Sequence, residues 1–345
     1  MRDFINIGPI KKGDLVAIVS PSNALSEFFP WVHELGISRI KNEFGLKTKE
    51  YPTTRKNGSA LKDRANDLME AFSDKNVKAI FTTIGGTDQI QLLKYLDPKI
   101  IKTNPKPFFG FSDNTHIINY LWKLGIPSYY GGCVLTQFAM QGQMDLLTVD
   151  YLKWALFDCS PRKMTISSEF NEVGLDWSDK STLNSRRAYS THEGWQWDGS
   201  QNANGVLWGG CVESLIAQVS ASVFLPSDAE IDGCVLLLET AEDIPDHWII
   251  EYLLVGLGER GWLSKLSGVL VGRPKAWEFN KQLSVEERGE YRKKQQQTVI
   301  NTIRKYNREI PIVQNMDFGH TDPQIIMPIG RTVKITPAEK SISIF

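Results

Sequence analysis

The stretch PFFGFSDNTHIINYLWKL, residues 107–124, determines the class of fold that we expect for this chain. It begins with an apolar run, passes through Ser112, Asp113 and Asn114, and continues as a helix-like segment. Ser, Asp and Asn are preferred at helix N-termini because their side chains accept hydrogen bonds from unpaired backbone amides. The stretch therefore predicts a strand at 107–111 that is followed closely by a helix at 114–124.

The same alternation extends over the first 135 residues of the chain. We expect further strands at 15–20 and 77–83, and helices at 28–44, 60–72 and 88–95. Strands separated by helices are typical of βαβ units and a mainly parallel sheet. Ligands of such sheets bind at the carboxyl ends of the strands, which is where Ser112 stands.

The pattern breaks at residues 158–204, which are rich in Ser, Asn, Asp and Gly and contain Trp177, Trp195 and Trp197. We interpret this segment as a linker with a substrate-facing loop, because long connections without periodicity are usually functional or linkers. Strand-like runs resume at 234–238, 269–271, 311–313, 332–335 and 341–345, with a helix at 284–306 whose charges are expected on a solvated face. The predicted domains are therefore 1–157 and 205–345.

Composition argues against several classes of function. Lys plus Arg (39) nearly equals Asp plus Glu (40), which argues against binding a nucleic acid polymer or an anionic membrane. We find neither a membrane-spanning stretch nor a signal peptide and expect a cytoplasmic protein. Widely spaced cysteines predict buried thiols, and the spacing of the histidines fits no metal motif; these residues are Cys133, Cys159, Cys211, Cys234, His33, His116, His192 and His247.

Three polar residues stand where chemistry is possible, close behind apolar runs. Ser112, at a strand-to-helix turn, resembles a nucleophile elbow, although Asn114 breaks the GxSxG pattern. Glu239 ends the run 234–238, and a carboxylate there needs a partner to offset its desolvation. His320 follows Asp-Phe-Gly. Alone, each has an ordinary explanation as a helix cap, an ion pair or a structural histidine. Together they supply a nucleophile, an orienting acid and a base.

Two further features are expected to lie near Ser112. The pair Gly85-Gly86 follows the strand 77–83 and places backbone N–H groups where an oxyanion hole is possible, with a simple turn as the alternative. His116 comes one turn after Ser112, and we expect it on the helix surface.

Taken together, the motifs resemble the LD-carboxypeptidase family of serine peptidases, and within it the microcin C self-immunity branch. The matching segments cover nearly the whole chain and include GDLVAIVSPS (13–22), RANDLMEAF (64–72), TIGG (83–86), GFSD (110–113), LLE (237–239) and FGHTDP (318–323). The chain departs from the family pattern at Thr87-Asp88-Gln89, where relatives often carry Tyr or Asn, and at Cys211, where many carry Asn.

The resemblance implies an α/β fold: a Rossmann-like N-terminal domain with a mainly parallel sheet and a smaller β-rich C-terminal domain, usually as a homodimer. It implies a triad of Ser112, His320 and Glu239 that requires no metal or organic cofactor. We predict that the backbone N–H groups of Gly86 and Asp113 receive the oxyanion. Gly85, Trp195 and Trp197 are the predicted substrate contacts.

The predicted substrate is a small peptide or peptidyl-nucleotide: a peptidyl or aminoacyl adenylate such as processed microcin C, cut at its amide bond. The TIGG form, which is similar to the immunity-type glycine pair, favours the adenylate. The loop carrying Trp195 and Trp197 also favours the adenylate, because an indole can stack on adenine. The alternative substrate is an L,D-bond in a muropeptide. The alternative of another class is a non-catalytic binding protein that has kept the cleft.

Overall fold

Two sheets organise the computed structural model, which describes residues 3–345. The strands are β1 (Leu15–Val19), β2 (Lys47–Glu50), β3 (Val77–Thr82), β4 (Phe108–Gly110), β5 (Ser128–Tyr130), β6 (Arg162–Lys163), β7 (Glu169–Phe170), β8 (Ser190–Thr191), β9 (Gln196–Asp198), β10 (Ala203–Cys211), β11 (Val235–Glu239), β12 (Gly268–Gly272), β13 (Trp277–Glu278), β14 (Lys281–Gln282), β15 (Ile312–Met316), β16 (Met327–Ile329), β17 (Thr332–Thr336) and β18 (Ser341–Ile344). With the helices that connect them, these strands form a mixed α/β structure, which confirms the predicted fold class.

Helices connect and cover these strands. They are α1 (Pro30–Asn42), α2 (Leu61–Ser73), α3 (Pro98–Thr103), α4 (Thr115–Lys123), α5 (Leu146–Phe157), α6 (Val212–Ala221), α7 (Asp228–Ile231), α8 (His247–Glu259) and α9 (Val285–Tyr306). Within residues 3–345, none of the helices is both long enough and apolar enough to span a membrane.

The first sheet has the order β16-β5-β4-β3-β1-β2. Strands β1 to β5 run parallel, and β16 joins the edge beside β5 in the antiparallel sense. The side chains of Val16–Val19 and Ala79–Phe81 are buried, as expected for parallel strands covered on both faces. The carboxyl ends of β3, β4 and β5 therefore lie side by side and deliver the residues that follow them to one edge.

The second sheet has the order β6-β18-β17-β10-β11-β12-β15-β9. Its centre, β10 to β12 with β15, is parallel, and antiparallel strands extend it on both sides. Four short strands thus lie in residues 158–204, which the sequence analysis interpreted as structureless: β6 and β9 occupy the two outer edges of this sheet, and β7 pairs with β8.

Two further expectations from sequence are wrong. Residues 88–95 form two short 3-10 turns instead of a helix, because the side chain of Gln89 is buried and bonds to Ser22 and Asn114. The face of α9 is also not fully solvated: Arg288 and Arg292 bind the buried carboxylate of Glu172. In both cases a partner distant in the chain overrides the local pattern.

The two halves of the chain pack closely where α4 meets β10. The backbone N–H of Cys211 donates to Thr115 Oγ1 over 3.0 Å, and the Trp122 indole donates to the carbonyl of Leu207 over 3.0 Å. Gly210 has φ +149°, and a Cβ there would lie 2.5 Å from Thr115 Oγ1. A glycine at position 210 is therefore required for this contact.

We expect Gly210→Ala to lower the free energy of unfolding by at least about 2 kcal/mol, because alanine is strained at this φ and its methyl group overlaps Thr115. Gly256→Ala is the control. A Cβ on Gly256, in α8, would meet nothing within 4 Å in the described chain, so this substitution should be neutral or stabilising by up to about 1 kcal/mol. Urea unfolding measures both; equal effects would show that the α4–β10 contact is loosely packed.

Candidate active site

Ser112 begins the turn that joins β4 to α4. Its φ is +62°, an uncommon value for a residue other than glycine, and the 3-10 turn Ser112–Asn114 leads directly into the helix. Gly85 allows the turn after β3 to come close: a Cβ on Gly85 would lie 3.2 Å from Ser112 Oγ. This is the sharp, strained turn expected of a nucleophile elbow.

Glu239 and His320 form a short hydrogen bond at the end of β11. Glu239 Oε2 lies 2.6 Å from His320 Nδ1, and both side chains are buried. Gly319 makes room for the pair: its φ is +96°, and a Cβ there would lie 2.6 Å from Glu239 Oε2. The ring of Phe111, the residue before Ser112, packs edge-on against His320 at 5.0 Å. The structure thus brings the predicted acid and base together beside the strand that carries the predicted nucleophile.

Tyr130 connects the two parts of the site, and the sequence analysis missed it. Its hydroxyl donates to Glu239 Oε1 over 2.5 Å and accepts from the backbone N–H of Ser112 over 3.2 Å. Burial, followed by the charge of Glu239, raises the pKa of Tyr130 well above its ordinary value, so the hydroxyl stays protonated. Tyr130 ends β5, the neighbour of β4, and that position was the only signal available in the sequence.

The predicted oxyanion donors, Gly86 and Asp113, lie on two turns that approach each other at Gly85. The amide nitrogen of Asp113 lies 3.3 Å from where a Cβ on Gly85 would sit, and a Cβ on Gly86 would lie 2.9 Å from the side chain of Ser22. The Asp113 carboxylate accepts from Ser22 Oγ and from the N–H of Gln89, which holds the turn in place. Burial raises the pKa of Asp113 to about 6 despite these bonds.

A second carboxylate reaches His320 from the loop after β11. Glu242 Oε2 lies 2.8 Å from His320 Nε2, and the Glu242 side chain is 46% exposed. Burial opposes the charged form of His320, but the negative charges of Glu239 and Glu242 outweigh it and raise the pKa of His320 well above its ordinary value. Burial likewise opposes ionisation of Glu242, yet His320 lowers the pKa of Glu242 to about 2. The sequence analysis did not predict the pair of Glu242 and His320.

The loop that carries His320 is held from residues 158–204. Asp317, before His320, accepts from the Trp195 indole over 3.0 Å, and Asp322, after it, pairs with Arg187 at 2.6 Å. Trp195 therefore supports the histidine loop, while Trp197 lies in β9 opposite Val313 at the sheet edge.

The third tryptophan of the segment lies nearer to Gly85. Trp177 packs edge-on against Phe29 at 5.6 Å and shares an apolar cluster with Ile84, the residue before Gly85. Its own carbonyl accepts from the indole of Trp31 over 2.7 Å.

The histidine expected on the surface of α4 is buried instead. His116 Nε2 lies 3.5 Å from Asp113 Oδ1, with both side chains almost inaccessible to solvent. Burial lowers the pKa of His116 to about 4, so it is neutral near pH 7. The sequence analysis placed His116 on the helix surface from its position in the helix alone. This expectation is wrong because α6 packs against α4 and covers that face.

Comparison with known proteins gives one family. A model of the LD-carboxypeptidase N-terminal domain matches residues 16–131, and a model of the LD-carboxypeptidase C-terminal domain matches residues 204–335. YocD of Bacillus subtilis, which is named as a carboxypeptidase, is 29% identical over 342 residues that cover 94% of each chain.

Solved structures agree with this match. An MccF-like protein from Streptococcus pneumoniae, crystallised in complex with AMP, is 28% identical with a TM-score of 0.84 and covers 96% of this chain and 99% of its own. MccF, the microcin C7 self-immunity protein of Escherichia coli, is 20% identical in a complex with aspartyl sulfamoyl adenosine; its TM-score is 0.84, over 99% of this chain and 98% of its own. At that identity, the likeness to MccF is one of fold.

We expect Tyr130→Phe to slow hydrolysis of a small activated ester roughly 10- to 100-fold, because hydrogen bonds to charged groups contribute about 1.5–3 kcal/mol and Glu239 would lose one. Tyr129→Phe is the matched control, since its hydroxyl bonds to Cys159 instead. Steady-state kinetics with both variants measures the difference. Equal rates for the two variants would mean that Tyr130 only fills space.

Proposed function

This chain belongs to the LD-carboxypeptidase family and is a serine peptidase; on that premise we propose that Ser112, His320 and Glu239 are its catalytic triad. One observation carries the proposal: Glu239 binds His320 Nδ1 at 2.6 Å and is linked through Tyr130 to the backbone of Ser112. A carboxylate on Nδ1 fixes the tautomer in which Nε2 accepts a proton. A buried carboxylate, a histidine and a serine in a strained turn fit acyl transfer.

In the proposed reaction, Ser112 Oγ attacks the scissile carbonyl and its proton passes to Nε2 of neutral His320. Glu239 stabilises the imidazolium that forms. The oxyanion is received by the backbone N–H groups of Gly86 and Asp113, each donor of this kind contributing roughly 100- to 1000-fold in rate. His320 then protonates the leaving group, and water, activated by the same histidine, releases the acyl group from Ser112.

We propose as the substrate an aminoacyl or peptidyl adenylate whose acyl group is attached to the nucleotide part through an amide nitrogen, and the enzyme cuts that amide bond. The complex of the Streptococcus pneumoniae relative with AMP supports a nucleotide-bearing leaving group, because that protein is 28% identical over 96% of this chain. Trp177 packs against the same apolar cluster as Ile84, the residue before Gly85, and an indole ring can stack on adenine. The muropeptide alternative rests on a Bacillus subtilis relative, 23% identical, named as a probable murein peptide carboxypeptidase.

We expect Ser112→Ala to fold normally and to lose at least roughly 1000-fold in kcat, because nucleophile and base act as one unit. Ser214→Ala is the control: its hydroxyl lies 3.4 Å from the Ser112 carbonyl oxygen and takes no part in the chemistry. The substrates are an aminoacyl sulfamoyl adenosine, a muropeptide tetrapeptide and a small activated ester, each followed by chromatography.

The outcomes separate the candidate functions. Cleavage of the adenylate analogue supports the proposed substrate, and cleavage of the tetrapeptide alone supports the muropeptide alternative. Turnover of the activated ester by the wild type, lost in Ser112→Ala, excludes a binding protein without activity. A Ser112→Ala rate within tenfold of the wild type would mean that another residue attacks.

We expect Trp177→Ala to raise KM for the adenylate analogue roughly tenfold or more, since loss of a ring stacked on a base costs about 1–3 kcal/mol. It should leave ester hydrolysis unchanged. Trp195→Ala and Trp197→Ala are measured in parallel, because both remain proposed contacts. A larger rise in KM from Trp195→Ala or Trp197→Ala would identify that tryptophan as the one that stacks on the adenine. Equal losses on adenylate and ester would make the ring a structural anchor.

A further inference from the structure

Both nitrogens of the His320 ring are occupied by carboxylates. Glu239 lies 2.6 Å from Nδ1, and Glu242 lies 2.8 Å from Nε2. The first contact is part of the proposed triad. The second conflicts with it, because Nε2 is the atom that must accept the proton of Ser112. A site in this arrangement is closed, and Glu242 has to leave before Ser112 reacts.

The charge around the ring keeps the site closed. Glu239 and Glu242 together favour the imidazolium, which donates from both nitrogens and accepts from neither. The charge of Lys275, after β12, also reaches Glu242, but the Lys275 ammonium is itself 3.3 Å from Glu278. Glu213, in α6, binds the N–H of Ala241, and burial raises the pKa of Glu213. His320 is therefore the positive group that pairs directly with Glu242.

The backbone around Glu242 is anchored on both sides. Ala241 N–H donates to Glu213 Oε2 over 3.1 Å, and the Pro245 carbonyl accepts from Tyr291 and Gln295 of α9. Opening the site does not require loop movement, because the half-exposed Glu242 side chain can rotate about its own bonds, a motion of picoseconds to nanoseconds. A cation on the substrate can then replace the imidazolium as the partner of Glu242.

A substrate can place a positive group close to Glu242. When Ser112 Oγ stands about 3–3.5 Å from a scissile carbonyl and within hydrogen-bond reach of His320 Nε2, an α-ammonium on the acyl side lies a few ångströms from that nitrogen. Glu242 is already 2.8 Å from it.

We propose that Glu242 gates the triad: it pairs with His320 Nε2 in the empty enzyme and moves to an ammonium group on the acyl part of the substrate. Without the second carboxylate, His320 releases its Nε2 proton to solvent, and the neutral nitrogen accepts the proton of Ser112. This gate deepens the proposed function, on which it rests, by specifying the substrate class. Of the two proposed acyl groups, the gate selects the aminoacyl group, which carries an unblocked amine next to the scissile bond, over the peptidyl group, whose α-nitrogen is an uncharged amide.

The test uses an L-alanine 4-nitrophenyl ester and its N-acetyl form, which differ in one positive charge and carry no nucleotide. Rates are corrected with Ser112→Ala, and kcat/KM is measured for wild type, Glu242→Gln and Asp243→Asn. Asp243 is the exposed next residue, so its substitution makes the same charge change without touching His320. Unchanged circular dichroism and melting temperature establish that each variant is folded.

The wild type should prefer the free amine by roughly tenfold or more, as a charge-assisted hydrogen bond would give. Glu242→Gln should reduce that preference to within about threefold and hydrolyse the acetylated ester faster than the wild type. The acidic side of the pH–rate profile of Glu242→Gln on the acetylated ester should move to lower pH by about one unit, because removing a carboxylate lowers the pKa of His320. Asp243→Asn should behave as the wild type in all three measurements.

Equal wild-type rates on the two esters would overturn the gate, as would a Glu242→Gln variant that keeps both the preference and the pH profile. Failure of the proposed function has a different signature: Ser112→Ala would hydrolyse the esters as fast as the wild type. Failure of the adenylate substrate alone changes neither ester ratio, since the esters lack the nucleotide.

Discussion

The buried carboxylate of Glu239 is the constraint on which the site depends. It is 1% exposed, and an ionised carboxylate in such a place is stable only when its oxygens are bonded. Its two oxygens bind Tyr130, from the first sheet, and His320, from the loop after the second sheet's β15. These two bonds tie the first sheet to the loop that carries His320. The Glu239 side chain also leaves little room at Gly319 and Gly272, where a Cβ would lie 2.6 and 2.9 Å from it.

Much of the framework was predictable because it depends on local patterns. The strands that end at Gly110 and Glu239 are continuous apolar runs buried on both faces, and such runs need no knowledge of their neighbours to be recognised. Ser112 and Glu239 lie at the carboxyl ends of these parallel strands, as the sequence analysis expected. That Glu239 and His320 meet across 81 positions does not follow from any spacing, and it was expected only from the resemblance to a family.

The missed residues share a physical cause, since each owes its role to a partner distant in the chain. Tyr130 reads as one more aromatic residue of a buried strand until β5 is placed beside β4, and Glu242 reads as a loop charge until β11 is placed beside the His320 loop. The helix expected at 88–95 failed for the same reason, because Gln89 is fixed by Asn114. Local propensity is a weak prior where a buried polar group finds such partners.

Residues 158–204 also act through partners distant in the chain, since they hold the loop that carries His320. Asp317 and Asp322 flank His320, and their partners in this segment include Trp195, His192 and Arg187. Asp317 is fully buried and also pairs with Arg273, so losing one of these donors leaves a charge that the interior cannot solvate. The base is thus held through hydrogen bonds and ion pairs by a segment that carries none of the proposed triad, whereas the Glu242 side chain beside it is half-exposed. A fixed histidine next to a movable carboxylate is the arrangement in which a small rotation changes the proton affinity of the base without disturbing its position.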